Sequence, residues 1–447
     1  MKEPTLHEVT LRSGFWADKL KLNAETAIFY QWQQLENTRC IDNFRIAAGM
    51  KEGFREGFFF SDSDAYKWLD AASRILIHAP SKRLRKLVDD FIGILEKAQL
   101  ADGYLYTYNQ IHFAGQRWVD LQVEHEFYCL GHLIEAGVSH FEACGERRLL
   151  NIAIKAADLL VRNFAQSLPD YTDGHEEIEI ALIKLWRVTD NIEYLALAKA
   201  FLERRGTIRF FGLKMLLQVL DSGRRMGIVS RRRAAWLNKN PDNSGFNLPA
   251  RNRHKVPFWA GPRFMLQALN GKYNQQHLAV EKQTRAEGHA VRFTYLKTAE
   301  AMLAQVPGHE HRIQKLRSIW EQMVTRRMYV TGGIGSLPLS EGFGRDFELD
   351  PEVAYAETCA ALGSMFWSHE MGRLTGEAQF EDLYEWQLYN AASVGIGRDG
   401  CSYFYNNPLV SRGELARAGW YDIPCCPSNL SRVWAALGKN LCCYDHS

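Results

Sequence analysis

Apolar residues recur at three- and four-residue steps along most of this 447-residue chain. In 64–78, Tyr66, Leu69, Ala72 and Ile75 form such a stripe, widened by Trp68, Ala71 and Leu76. In 82–99 the same role falls to Leu84, Leu87, Phe91, Ile94 and Leu95. That spacing buries one face of a helix. It also predicts helices near 120–143, 146–165, 175–189, 191–204, 279–305, 308–328, 354–374, 378–395 and 428–441. Strand-like runs are short, with 328–331 and 402–405 the best. A dozen or so helices joined by short loops predict an all-α fold, paired helices curling into a ring or solenoid. No strict repeat marks a regular array.

With 46% hydrophobic residues, the chain has the means to bury a large core, which excludes wholesale disorder. Its 54 Lys/Arg against 52 Asp/Glu give no global pull toward nucleic acid or a membrane surface. No apolar run approaches the roughly 18 residues of a membrane span, and the first residues lack the apolar stretch of an export signal. A cytoplasmic protein is expected. Nine cysteines, at 40, 129, 144, 359, 401, 425, 426, 442 and 443, are too sparse for a disulfide-built fold. In a reducing compartment, clustered thiols bind metal or react more often than they crosslink.

Residues 204–255 stand apart, with 13 Lys/Arg against two acids, while the rest of the chain holds 41 against 50. The segment reads either as a basic arm for a polyanion, centred on Arg231–Arg233, or as a solvated insertion or a stretch with an altered reading frame.

The densest polar cluster lies at 341–359, and a Cys-Cys pair follows at 425–426. Glu357, Cys359, Cys425 and Cys426 offer one carboxylate and three thiolates, a set that suits tetrahedral zinc. The spacing is not that of a zinc finger, and adjacent cysteines also occur as plain buried residues. A metal-held thiolate would be a far better nucleophile than a free thiol. Paired with a carboxylic acid, it could support double displacement at an anomeric carbon. Glu341, flanked by a glycine loop, is a candidate acid, or else a solvated loop carboxylate. His125 and His132, seven residues apart, would share one helix face. His175 opens another predicted helix, and His289 precedes an apolar run. Each histidine reads either as packing or as a polar contact for sugar hydroxyls.

Ordered motifs across nearly the whole chain then carry a resemblance. They are Gly14-Phe-Trp16, Asp62-Ser-Asp64, Asp102-Gly-Tyr-Leu105, His125-Glu-Phe-Tyr128, Asp173-Gly-His-Glu-Glu-Ile-Glu179, Gly288-His-Ala-Val-Arg292, Glu357-Thr-Cys-Ala360, Tyr405-Asn-Asn-Pro408 and Cys425-Cys-Pro427. Together they resemble glycoside hydrolase family 127, the zinc-dependent β-L-arabinofuranosidases. The resemblance implies an (α/α)6 toroid whose central pocket binds a terminal furanose. It implies Cys425 as nucleophile, Glu341 as general acid and later base, and Zn2+ held by Glu357, Cys359, Cys425 and Cys426. Sugar contacts would fall to His125, His175, His289 and Tyr405, and His132 takes no role. Glu341 would need a raised pKa to deliver its proton near neutral pH.

Two departures accompany the resemblance. Family members usually continue past the paired cysteines into β-sandwich domains; residues 1–447 are expected to form one catalytic domain without them. An outer surface left uncovered would be apolar and favour a homo-oligomer. In addition, 207–272 matches the family poorly and largely coincides with the basic segment. The expected activity is retaining exo-hydrolysis of terminal β-L-arabinofuranosides, a small-molecule or oligosaccharide substrate. The alternatives are an inactive zinc- or sugar-binding relative and a glycosidase of another sugar specificity.

Overall fold

The computed structural model describes residues 3–168, 171–243, 256–413, 415–440 and 444. Six helices form an inner ring: α1 (Asp62–His78), α2 (Glu126–Cys144), α3 (Ile178–Thr189), α4 (Ala290–Ala304), α5 (Thr358–Thr375) and α6 (Cys425–Ala435). Each packs on the next, and α6 closes on α1. Helices such as Ile28–Asn37, Lys82–Ala98, Arg147–Phe164, Ile192–Arg204, Ile313–Arg326 and Ala378–Gln387 alternate with them along the chain. The result is the expected (α/α)6 toroid.

Sequence separates the two layers. Every residue of α4 is buried, as a helix walled in on all sides requires. Lys82–Ala98 and Arg147–Phe164 instead bury one face, through Leu84, Val88, Phe91 and Leu95 in the first and Leu149, Ala153, Ala156 and Leu160 in the second. They give their charged face to water. One continuous apolar core runs around the ring between the layers.

Among the described residues no β-strand forms. The two strand-like runs contribute isolated bridges, Met328 with Ile334 and Tyr403 with Ile396 and Ala418. No helix of the described residues is long and apolar enough to cross a membrane.

The described residues of the divergent segment form two α-helices: Phe211–Lys239 and Ala260–Leu269 pack on each other, with Ile208, Phe211, Met215 and Ala268 as a small core of their own. The basic side chains reach back to the toroid. Arg225 Nε lies 2.7 Å from Glu124 Oε1, Arg233 Nε 2.8 Å from Glu56 Oε2, and Arg232 Nη1 donates to His112 O at 2.6 Å. Arg232 and Arg233 of the proposed polyanion centre are thus tethers to the fold. Arg251, Arg253 and Lys255 lie outside the described residues, as do Cys442 and Cys443. Exposed apolar side chains gather on the segment as well, at Phe210, Leu213, Leu217 and Leu220.

Candidate active site and metal centre

All six inner helices begin at one end of the ring. Ser63 in the first turn of α1, His125 before α2, His175 before α3, His289 at the start of α4, Glu357 at the start of α5 and Cys425 at the start of α6 line one cavity of about 380 Å³. Helix N-termini carry partial positive charge and free N–H groups, so this end of the ring favours anionic side chains.

The four proposed ligands come together there. Cys359 Sγ lies 3.3 Å from Cys426 Sγ and 3.6 Å from Cys425 Sγ, and the last two are 3.8 Å apart. Glu357 Oε1 is 3.5 Å from Cys425 Sγ and 3.6 Å from Cys426 Sγ. A disulfide would place sulfurs at about 2.05 Å, so these are free thiols. Around a tetrahedral ion with metal–sulfur bonds near 2.3 Å and a metal–oxygen bond near 2.1 Å, edges come to about 3.8 Å (S–S) and about 3.6 Å (S–O). The observed separations lie close to those edges except for the shorter Cys359–Cys426 pair at 3.3 Å, and the four residues could hold a metal ion. Glu357 Oε2 is buried with no hydrogen-bond partner. Burial, with the nearby sulfur of Cys425, pushes the Glu357 carboxyl well above its ordinary range, and burial with Cys359 does the same to the Cys426 thiol. Burial raises the Cys359 thiol too, but hydrogen bonds with Cys425 and Cys426 prevail and lower it to about 6; three thiols and a carboxyl packed this closely ionise together only beside a cation. Lys67, buried, stands nearby and donates to Tyr128 Oη at 2.8 Å.

Glu341 sits in a loop pinned against the start of α4. Ala290 N donates to Glu341 O at 3.0 Å, and Phe343 N to Gly288 O at 2.9 Å. A side chain at Gly342 would meet Gly288 O at 2.4 Å, so only glycine allows that approach. His289 is the N-cap of α4, and its Nδ1 accepts from Val291 N at 3.2 Å. The proton of the neutral ring therefore lies on Nε2, 3.2 Å from Glu341 Oε2. Burial raises the Glu341 carboxyl, but hydrogen bonds from His289 and Tyr355 and the charge of Arg292 outweigh it and leave it below the usual range. The expected elevation is absent because three donors and cations converge on the group.

His125 corrects the shared-face reading. It has φ 61°, left-handed backbone that starts α2 afresh, so it does not lie on the helix with His132. Its ring stacks on Phe60 at 5.1 Å and faces the cavity, whereas His132 lies deeper beside Glu177. Asp173 locks the arrangement by accepting from Tyr128 N at 2.6 Å, which ties the loop carrying His175 to the first turn of α2. His175 Nδ1 donates to Glu176 O at 3.0 Å, leaving Nε2 as an acceptor. Burial holds His125 and His175 well below the ordinary imidazole range, so both are neutral. Tyr405 Oη lies 3.1 Å from Cys425 Sγ, held by a bridge in which Thr358 N donates to Tyr405 O at 2.9 Å. Glu341 (φ 49°) and Ala356 (φ 40°) join His125 in strained left-handed backbone, three such positions at or next to site residues.

Arg292 belongs to the cavity too, though sequence reasoning quoted it only as part of a motif. It is 4% exposed, its Nε and Nη1 have no hydrogen-bond partner, and its guanidinium lies 4.2 Å from the ring centroid of Tyr273. Its position four residues after Gly288, one turn inside α4, was the available signal.

Fold and site together define a helical-toroid catalytic domain with a cysteine–carboxylate centre at the mouth of the ring. Residues 8–439 match the family model described as β-L-arabinofuranosidase, GH127 catalytic domain, and the chain belongs to that family. It is 31% identical to the non-reducing end β-L-arabinofuranosidase of Bifidobacterium longum subsp. longum, over 96% of this chain and 65% of that protein. A crystal structure of a GH127 β-L-arabinofuranosidase from Geobacillus stearothermophilus superposes with TM-score 0.81 at 36% identity, covering 96% of this chain and 65% of that one. A second GH127 β-arabinofuranosidase structure gives TM-score 0.80 at 33% identity, covering 98% and 62%. The chain thus spans slightly less than two thirds of the length of these relatives.

Proposed function

We propose that the protein is a retaining exo-glycosidase that releases L-arabinofuranose from terminal β-L-arabinofuranosides. The observation that carries this reading is the set of tetrahedral edges among Cys359, Cys425, Cys426 and Glu357, with Cys425 also facing the cavity that holds Glu341. Zinc suits one oxygen and three sulfur donors, and bound there it would keep Cys425 as a thiolate.

The chain's own residues divide the rest of the work. Cys425 Sγ attacks the anomeric carbon and forms a carbon–sulfur bond as the glycosidic carbon–oxygen bond breaks. Glu341 gives its proton to the departing oxygen from a protonated form that its lowered pKa makes scarce near neutral pH, then takes a proton from water whose oxygen displaces the sulfur and restores the thiolate. His289 orients Glu341 through its Nε2–H. His175, with Nε2 as acceptor, complements the donor on His289 in holding hydroxyls, and His125, Tyr405 and Arg292 complete the polar wall. Assay of purified protein on an aryl β-L-arabinofuranoside, beside galacto- and xylo-configured glycosides, tests the reading. Faster turnover of another sugar would overturn the specificity, and no turnover of any would overturn the activity.

A further inference from the structure

The helices Phe211–Lys239 and Ala260–Leu269 do more than cover the toroid. Met215 and Val219 from the first, and Phe264 from the second, line the same cavity as Cys425, Glu341 and Tyr405. Val219 is 44% exposed and marks the rim. Phe58 and Phe60 line the cavity as well, and Val123 packs against the small core that holds Met215.

The cavity is therefore divided by chemistry. The histidines, Glu341, Tyr405 and Arg292, which can hold hydroxyl groups, come from the toroid and gather around Cys425. The helix pair contributes thioether, isopropyl and phenyl groups only. An aromatic wall joins the two zones: Phe264 meets Tyr273 edge-on at 5.0 Å, Tyr273 meets His289 at 5.5 Å, and His289 reaches Glu341 at 3.2 Å. A departing oxygen must lie within hydrogen-bond reach of the acid, so the group attached to it starts at Glu341 and meets this wall.

The helix pair is also held in register with the sugar zone. Gln122 N donates to Gln218 Oε1 at 2.9 Å. Arg225, buried and lying 3.9 Å from the ring centroid of Phe113, grips Glu124, the residue before His125. On the other helix, Arg263 Nη2 donates to Glu348 Oε2 at 2.7 Å. The two arginine contacts are charge-assisted clamps, one on each helix.

We propose that the helix pair forms a subsite for the leaving group, and that it takes an apolar ring-bearing aglycone rather than a second sugar. This rests on the reading of Cys425 and Glu341 as the reacting pair. A second sugar would set hydroxyls against the side chains of Met215, Val219 and Phe264, which cannot replace the hydrogen bonds of water. A hydrocarbon ring would instead exchange water for matching apolar surface.

The test compares cyclohexylmethyl, methyl and L-arabinofuranosyl β-L-arabinofuranosides, all with poor leaving groups, so that aglycone binding and not acidity decides the rates. The wild type is expected to favour the cyclohexylmethyl compound over the disaccharide by at least tenfold in kcat/KM. In Phe264→Asn, and in the rim variant Val219→Asn, the ratio of cyclohexylmethyl to methyl kcat/KM should fall at least tenfold, chiefly through KM. Preference for the disaccharide, or equal losses on both alkyl substrates, overturns the subsite. If no arabinofuranoside turns over, the functional reading fails separately. Calorimetry with cyclohexylmethanol then decides: binding that Val219→Asn and Phe264→Asn weaken tenfold supports the subsite, and absence of binding overturns it.

Discussion

His289 Nε2 lies 3.2 Å from Glu341 Oε2, while the neighbouring Ala290 N donates to Glu341 O. Because the N-cap bond to Val291 N occupies Nδ1, the ring can offer Glu341 only a donor. The fold of α4's first turn thus sets the partner of the proposed acid/base. His289→Ala should lower kcat/KM on arabinofuranosides by roughly 10²-fold, the scale of a positioned proton-transfer partner. His289→Asn, which keeps an N-cap, should retain helix stability without restoring the rate. A His289→Ala enzyme within twofold of wild type would remove the residue from the site.

Cys425→Ser should abolish turnover, by roughly 10³-fold or more, since a serine hydroxyl lacks the thiolate's reactivity. Glu341→Ala should fall by roughly 10²–10⁴-fold on alkyl glycosides and far less on dinitrophenyl ones, whose leaving group needs no proton. Equal losses on both substrates would take the acid role from Glu341.

Arg292→Met should separate stability from function. A buried guanidinium with two unpartnered nitrogens costs stability, and methionine fills similar space. The variant should gain about 1 kcal/mol in thermal or denaturant unfolding while binding of L-arabinose weakens about tenfold. Loss of stability with unchanged sugar binding would make Arg292 a structural residue.

Much of this site was legible beforehand, and the misses have physical causes. The outer helices showed because one apolar stripe each matches a 3.6-residue period, and the Glu-x-Cys and Cys-Cys pairs showed because thiolates with a carboxylate have few roles together. Their meeting across 66 residues between Cys359 and Cys425 is a product of ring closure that spacing cannot reveal. His125 was misplaced on a helix face because left-handed backbone at a non-glycine leaves no sequence mark. The helix Phe211–Lys239 was missed because its apolar residues are spread over buried and exposed faces, Met215 inward and Leu213, Leu217 and Leu220 outward. The depressed Glu341 depends on Tyr355 and Arg292, whose approach only the fold reveals.

Away from the cavity, His369 should shape the pH dependence of stability. Burial disfavours its charge, but Glu3 and Glu381 prevail and raise it from the ordinary 6.5 to about 9. Its contribution is therefore fully present below pH 6.5 and is lost as pH rises through about 9. Allowing for the half-exposed Glu381 carboxylate, about 2 kcal/mol is at stake. Unfolding midpoints should fall between pH 6.5 and 9 in the wild type and flatten in His369→Gln. Parallel curves for the two proteins would contradict the pairing.

The account rests on a cation shared by Cys359, Cys425, Cys426 and Glu357. Metal analysis of the purified protein, with arabinofuranosidase activity followed through chelation and zinc restoration, addresses it most directly. About one zinc per chain, activity lost with the metal and regained on its return, and metal absent from Cys359→Ser is the predicted outcome. Full activity in metal-free protein, or zinc retained at full occupancy after Cys359→Ser, would contradict it.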